Sequence, residues 1–195
     1  MNKIPVILLA AGGSSRMGQP KQLIPWGEKT LIEHQVETLI NIGNPVIVVL
    51  GNASESVIPL LEKYDIKISI NKNWETGLGS SVVSGINYVT ENFSDTKGVM
   101  TTLLDLPLIS FQHYQNLLKT FQPGTGQIII STSADGWKGV PAVFDKCYFD
   151  ELKALKGDEG AKNIIRKHMD KTIGMDCGVM LKDLDTPEDY QKLTE

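Results

Sequence analysis

The sequence predicts an α/β protein: one three-layer α/β/α domain of Rossmann-like type spanning residues 1–195, with a mostly parallel sheet. Three observations predict it. Strand and helix signals alternate from end to end, the pattern of strand–helix–strand units that wind helices over both faces of a sheet. Two early strand signals, Ile4–Ala10 and Pro45–Leu50, are unbroken apolar runs, as for strands buried on both faces. The length of 195 residues, 41% of them hydrophobic, suits one sizeable core.

After Ile4–Ala10, residues Ile32, Val36, Leu39 and Ile40 fall at helical spacing and mark an amphipathic helix ending near Gly43. Val46-Ile47-Val48-Val49 forms the heart of the Pro45–Leu50 strand. Ser54–Tyr64 reads as a helix, with Pro59 a kink or boundary. Ile66–Ile70 alternates as a strand, Ser80–Val89 is a helix behind a glycine-bearing loop, and Gly98–Leu104 is a strand. Ser110 caps a helix running through Thr120. Gln127–Thr132 and Val140–Phe144 read as strands, and Tyr148–Leu155 and Glu159–His168 as helices. Thr172–Met175 and Val179–Leu184 read as short strands. Thr186-Pro187-Glu188-Asp189 starts a last helix, with proline at its first position and a carboxylate three residues after the cap. Gln122–Gly126 is read as a loop rather than a linker.

The net charge of −4 argues against a nucleic-acid or anionic-membrane surface, so any nucleotide site must be locally basic. The first apolar run is too short for a secretory leader, and no stretch is long enough to span a bilayer. Cys147 and Cys177 lack metal-ligand spacing and point to a reducing cytoplasm, with a single disulfide between them as the alternative. His34, His113 and His168 are scattered and form no ligand cluster.

The chemistry concentrates at Leu8-Leu9-Ala10-Ala11-Gly12-Gly13-Ser14-Ser15-Arg16-Met17-Gly18-Gln19-Pro20-Lys21. An apolar strand stops at small residues, which let the backbone approach a ligand and aim several N–H groups at one point; Arg16 and Lys21 add fixed positive charge. Together they describe a polyphosphate pocket at a strand end. The lysine falls three residues after Gly18 with no Ser or Thr behind it, so this is not a Walker A loop; nor is it G-x-G-x-x-G. A second apolar strand ends on Asp105-Leu106-Pro107, which places Asp105 at the same sheet edge. Mg2+ favours one or two carboxylates plus phosphate oxygens, and Asp105 suits that role.

The first motif resembles the signature L-A-x-G-x-S-x-R-M-G-x-x-K of the nucleotidyltransferase superfamily that includes the molybdenum-cofactor guanylyl- and cytidylyltransferases, the MobA- and MocA-like proteins. The resemblance runs from Ile4 to Leu193. It implies nucleotide binding by Leu9, Ala10, Ala11, Gly12, Gly13, Ser14, Ser15, Arg16 and Lys21, with Arg16, Lys21 and Asp105 catalytic. It implies a metal, Mg2+, on Asp105 and on Asp185 of Lys182-Asp183-Leu184-Asp185-Thr186-Pro187, with Asp183 the nearby alternative. Asn71-Lys72-Asn73-Trp74-Glu75-Thr76-Gly77-Leu78-Gly79-Ser80-Ser81 is similar to the family segment lining base and ribose, which implicates Asn71, Gly77 and Ser81, with Ser80 as alternative and Trp74 as packing or stacking group. Leu9-Ala10-Ala11-Gly12 is closer to the cytidylyl-type sequence, and a methyl at Ala11 leaves less room beside a purine, so CTP is expected over GTP. Lys138, Gly157, Asp158 and Lys162 are expected at the acceptor; Val140 stands where the family usually has His, so one polar contact to the acceptor is lost or moved. The implied partners are a nucleoside triphosphate, a phosphorylated small-molecule acceptor such as molybdopterin and, transiently, a molybdoenzyme, with neither nucleic acid nor membrane.

Overall fold

The computed structural model describes residues 3–13, 16–133, 136 and 138–194. Its strands are β1 (Val6–Ala10), β2 (Pro25–Trp26), β3 (Lys29–Thr30), β4 (Val46–Leu50), β5 (Lys67–Ile70), β6 (Gly98–Leu103), β7 (Ile128–Thr132), β8 (Lys138–Asp145) and β9 (Thr172–Asp176). Its α-helices are α1 (Leu31–Ile40), α2 (Ser54–Leu61), α3 (Leu78–Asn92), α4 (Phe111–Thr120), α5 (Phe149–Lys153), α6 (Lys162–Lys167) and α7 (Pro187–Thr194).

Seven strands form one sheet in the order β5-β4-β1-β6-β8-β7-β9. All neighbours pair in parallel except at β8, which runs against both β6 and β7. The register sets Ala10 beside Leu50, Leu50 beside Ile70 and Leu9 beside Leu103. Four strands therefore end level, and the loops leaving them share one edge, where open α/β sheets take their ligands.

The unbroken apolar runs reflect burial on both faces. Val6, Leu8 and Ala10 face one core layer with Leu31, Val36 and Leu39 of α1 and Tyr114 and Leu117 of α4. Ile7 and Leu9 face the other, with Val82, Ile86 and Val89 of α3 and Leu152 of α5. Gly85 lets α3 lie close on the sheet: a β-carbon there would sit 2.7 Å from Ile7 Cγ2.

Three features depart from the sequence reading. Val179–Leu184 is not a strand; Gly178 adopts φ +58° and its N–H donates to Asp176 Oδ1 (2.9 Å), turning the chain into a short 3-10 segment, Gly178–Met180. Pro59 is not a boundary but lies inside α2, and the helix stops at Leu61 rather than continuing to Tyr64. The β2–β3 hairpin, turning at Gly27 (φ +61°), was not expected, because two-residue strands leave no alternation to read. Both cysteines are free thiols, Cys147 exposed and Cys177 buried. Among the described residues no helix is long and apolar enough to cross a membrane.

Candidate nucleotide site

A cleft of about 630 Å³ opens at the carboxyl edge of β1, β4, β5 and β6. Leu9, Ala10, Ala11, Gly12, Gly13, Arg16 and Lys21 line it from the β1 loop, and Gly77 and Ser81 from the start of α3. Asp105, Asp158 and Asp185 line it as well. Ser14 and Ser15 lie outside the described residues. Asn71 stands one layer behind: its Nδ2 donates to Ser80 Oγ (2.8 Å) and Ser81 Oγ (3.1 Å), and its Oδ1 accepts from Asn73 N (2.9 Å), so it holds Ser81 in place.

Gly157 packs under Gly77. A β-carbon on Gly77 would fall 2.4 Å from the Gly157 carbonyl carbon and 2.5 Å from Asp158 Oδ1. The Gly79 N–H donates to the Gly157 carbonyl (2.9 Å). Two segments expected at separate subsites, base and acceptor, thus meet backbone to backbone. Lys138 and Lys162 do not join them. Lys138 is exposed at the start of β8, and α6 turns Ile164 and Ile165 inward, which leaves Lys162 exposed.

The cleft also includes Gln22, Asn52, Trp74 and Glu75. Asn52 lies two residues beyond the end of β4, a position the sheet-edge rule could have flagged; its N–H donates to the Ala11 carbonyl (3.1 Å). Trp74 packs on the glycines: a β-carbon on Gly13 would lie 2.9 Å from Trp74 Cζ3, and one on Gly51 2.6 Å from Trp74 Cβ. It is a packing residue that also forms cleft wall. Glu75 and Gln22 carry no local signal that separates them from ordinary polar loop residues.

The charged groups converge. Lys21 Nζ lies 2.5 Å from Asp185 Oδ1 and 3.8 Å from Asp105 Oδ2, and Arg16 Nη2 lies 2.9 Å from Asp185 Oδ2. The lysine side chain is 13% exposed, whereas the arginine is 68% exposed and reaches in from the rim. Burial pushes the Asp105 carboxyl up to about 6; Lys21 opposes this, and Asp183 and Asp185 add to it by like-charge repulsion. Asp183 is raised as well, by burial and then by Asp185. Asp105 Oδ1 is buried and accepts no hydrogen bond among the described residues. The corner therefore holds more carboxylate than its two cations balance, and a divalent cation with phosphate oxygens fits that donor set. Among the described residues no group of three His, Cys, Asp or Glu is arranged to hold a metal on its own.

A parallel-edge cleft with a glycine loop, two cations and paired carboxylates defines a nucleotide-handling α/β protein. Residues 6–172 match the MobA-like NTP transferase domain, and the chain belongs to that family. It is 29% identical over 197 residues to nicotine blue oxidoreductase of Paenarthrobacter nicotinovorans, covering 96% of this chain and 94% of that protein. It is 26% identical over 200 residues to purine catabolism protein PucB of Bacillus subtilis (strain 168), covering 94% and 92%. Among solved structures it shares its fold with Rv0371c of Mycobacterium tuberculosis H37Rv (TM-score 0.84, 23% identity, 99% of this chain and 97% of that one). A complex of that protein with manganese aligns at TM-score 0.79 and 24% identity over 98% of each chain.

Proposed function

We propose that the protein transfers CMP from CTP to a phosphate-bearing small molecule of the molybdopterin class and releases pyrophosphate. The observation that carries this reading is the run of ion pairs, 2.5–3.8 Å each, that links Arg16 to Asp185, Asp185 to Lys21 and Lys21 to Asp105 beside the glycine loop. An acceptor phosphate oxygen bonds to the α-phosphorus as the bond to the bridging oxygen of the pyrophosphate breaks. A phosphate monoester is largely ionised at neutral pH (second pKa about 6), so the step needs no general base. The protein's task is to bring two anions together and to neutralise the departing one.

The Gly12 and Gly13 amides, which donate to no described residue, would hold the β- and γ-phosphates. Ser14 and Ser15 would extend that cradle. Arg16 would stabilise pyrophosphate as it leaves, and Lys21 would bridge the α-phosphate and the incoming phosphate. Asp105 and Asp185 would hold Mg2+, which would supply charge neutralisation at the phosphates. Gly77 and Ser81 would line base and ribose, with Asn71 holding Ser81 from behind. Asp158 and Gly157 would border the acceptor, while Lys138 and Lys162 would reach it only from outside the cleft. Ala11, 2% exposed, favours the smaller pyrimidine. Free Cys147 and Cys177 suit a reducing cytoplasm, where the product would pass to a molybdoenzyme.

Pyrophosphate release tests the reading, with CTP, GTP, ATP and UTP each assayed with and without molybdenum cofactor. Release is expected only with acceptor, at least about tenfold faster with CTP than GTP, a factor worth about 1.4 kcal/mol. Release with a sugar phosphate instead would move the acceptor assignment. Binding heat without release would make the chain a nucleotide-binding chaperone for molybdoenzyme maturation. No heat with any nucleotide would overturn the reading.

A further inference from the structure

Two buried glutamines repeat one arrangement at the two loops that carry the charged site. Gln22 is 1% exposed and Gln35, on α1, is fully buried. Nε2 of Gln22 donates to the carbonyls of Ala10 (2.6 Å) and Gly12 (3.3 Å). Nε2 of Gln35 donates to the carbonyls of Leu106 (2.9 Å) and Leu104 (3.4 Å). In each loop the captured carbonyls flank a single residue, Ala11 in the first and Asp105 in the second. The carbonyl of that middle residue is taken by a backbone N–H from a distant segment: Asn52 for Ala11 (3.1 Å) and Leu184 for Asp105 (2.9 Å).

The amide orientations follow from the partners, since the flipped form would set an oxygen against two carbonyls. Oε1 of each glutamine is then buried and accepts no hydrogen bond among the described residues. An apolar side chain of similar shape would avoid that desolvation cost, so packing alone does not account for either glutamine.

We infer that Gln22 and Gln35 are a matched pair of positioning residues, one for each half of the site. Gln22, with Asn52, engages all three carbonyls from Ala10 to Gly12 and leaves the Gly12 and Gly13 amides for an anion. Gln35 fixes the turn at Asp105. Through the Asp105 carbonyl it also fixes Leu184, the neighbour of Asp185, so both carboxylates depend on a side chain outside the cleft lining. This rests on the nucleotide-transfer reading, but its test needs no transfer.

Gln22→Met and Gln35→Met are compared with Val36→Ala, a core truncation on the same helix as Gln35. Binding of CTP and of Mn2+ alone is measured by calorimetry and Mn2+ EPR, alongside Tm. Gln22→Met is expected to weaken CTP at least tenfold and Mn2+ less than twofold. Gln35→Met is expected to weaken Mn2+ at least tenfold and CTP less than threefold, and Val36→Ala to lower Tm without separating the two. Losses of CTP and Mn2+ binding that track Tm equally in all three variants would overturn the inference, as would unchanged binding in both glutamine variants. If the variants do not fold, hydrogen exchange on the wild-type chain decides: the Asn52 and Leu184 amides should be protected like sheet amides, and fast exchange at either overturns the clamp. If the two glutamine variants show the expected split while the wild-type protein binds CTP and Mn2+ but transfers nothing, the transfer reading is overturned and the clamps stand.

Discussion

Lys21 sits between two carboxylates, closer to Asp185 than to Asp105. Burial pushes the Asp105 carboxyl up to about 6 from the ordinary 3.8, and Lys21 only partly opposes it. A folded state that holds its proton more tightly loses stability as that proton leaves. The metal-free protein should therefore lose stability from this group as pH rises from 3.8 to 6, with the full penalty present above 6. Asp105→Asn should raise unfolding stability at pH 7 by about 1–2 kcal/mol while abolishing pyrophosphate release. Urea melts at pH 4.5 and 7 check it, and a variant less stable than wild type at pH 7 would refute it. Lys21→Ala should also abolish turnover with the fold intact. Arg16→Ala should weaken triphosphate affinity, and an unchanged nucleotide Kd would remove its assigned contact.

At the scale of elements, α1 is held at its start by Glu33. Its Oε2 accepts from Thr30 N (3.0 Å) and Thr30 Oγ1 (2.7 Å), and its Oε1 from Lys63 Nζ (2.6 Å). The Lys63 hydrogen bond first, then those from Thr30, bring the Glu33 carboxyl down to about 2. Its contribution is therefore whole above the ordinary value of 4.5 and fades as pH falls from 4.5 towards 2, opposite in sign to Asp105. Glu33→Ala should cost about 1 kcal/mol at pH 7 and progressively less as pH falls towards 2, read from denaturant midpoints. In α3, Gly85→Val should cost about 1–3 kcal/mol, because Ile7 and Val49 already occupy the space. Elements of this length were legible: the apolar runs of β1 and β4 and the spacing of Ile32, Val36 and Leu39 are statements about faces, and faces leave a period. The direction of β8 was not legible, because its sequence pattern is the same whichever way it runs beside β6. Gln22 and Gln35 were not legible either, since each acts on carbonyls whose identity only the tertiary fold reveals. The cleft itself was half legible: glycines, cations and acids at strand ends announce themselves, whereas Gln22 and Glu75 resemble any loop.

At the scale of the whole molecule, the segment after β1 and the C-terminal segment meet beside the cleft. Tyr190 of α7 donates to the Pro25 carbonyl (2.9 Å) and packs edge-on against Trp26, with ring centroids 6.3 Å apart. Asp185 joins Arg16 and Lys21 on the same side. Ligand binding should therefore stabilise the entire fold. A triphosphate at 100 times its Kd should add about 2.7 kcal/mol, seen as a rise in Tm that Arg16→Ala reduces.

The double engagement of Asp185 also bears on which anions can enter. A bare phosphate or sulfate that captures both basic side chains strands the aspartate with no counter-ion, and the exchange is uphill from the outset. An anion that arrives already chelating a cation can trade partners in both directions and strand nothing. The resting ion pairs are thus a toll on simple salts, and selectivity for chelated polyphosphates begins before any base is read.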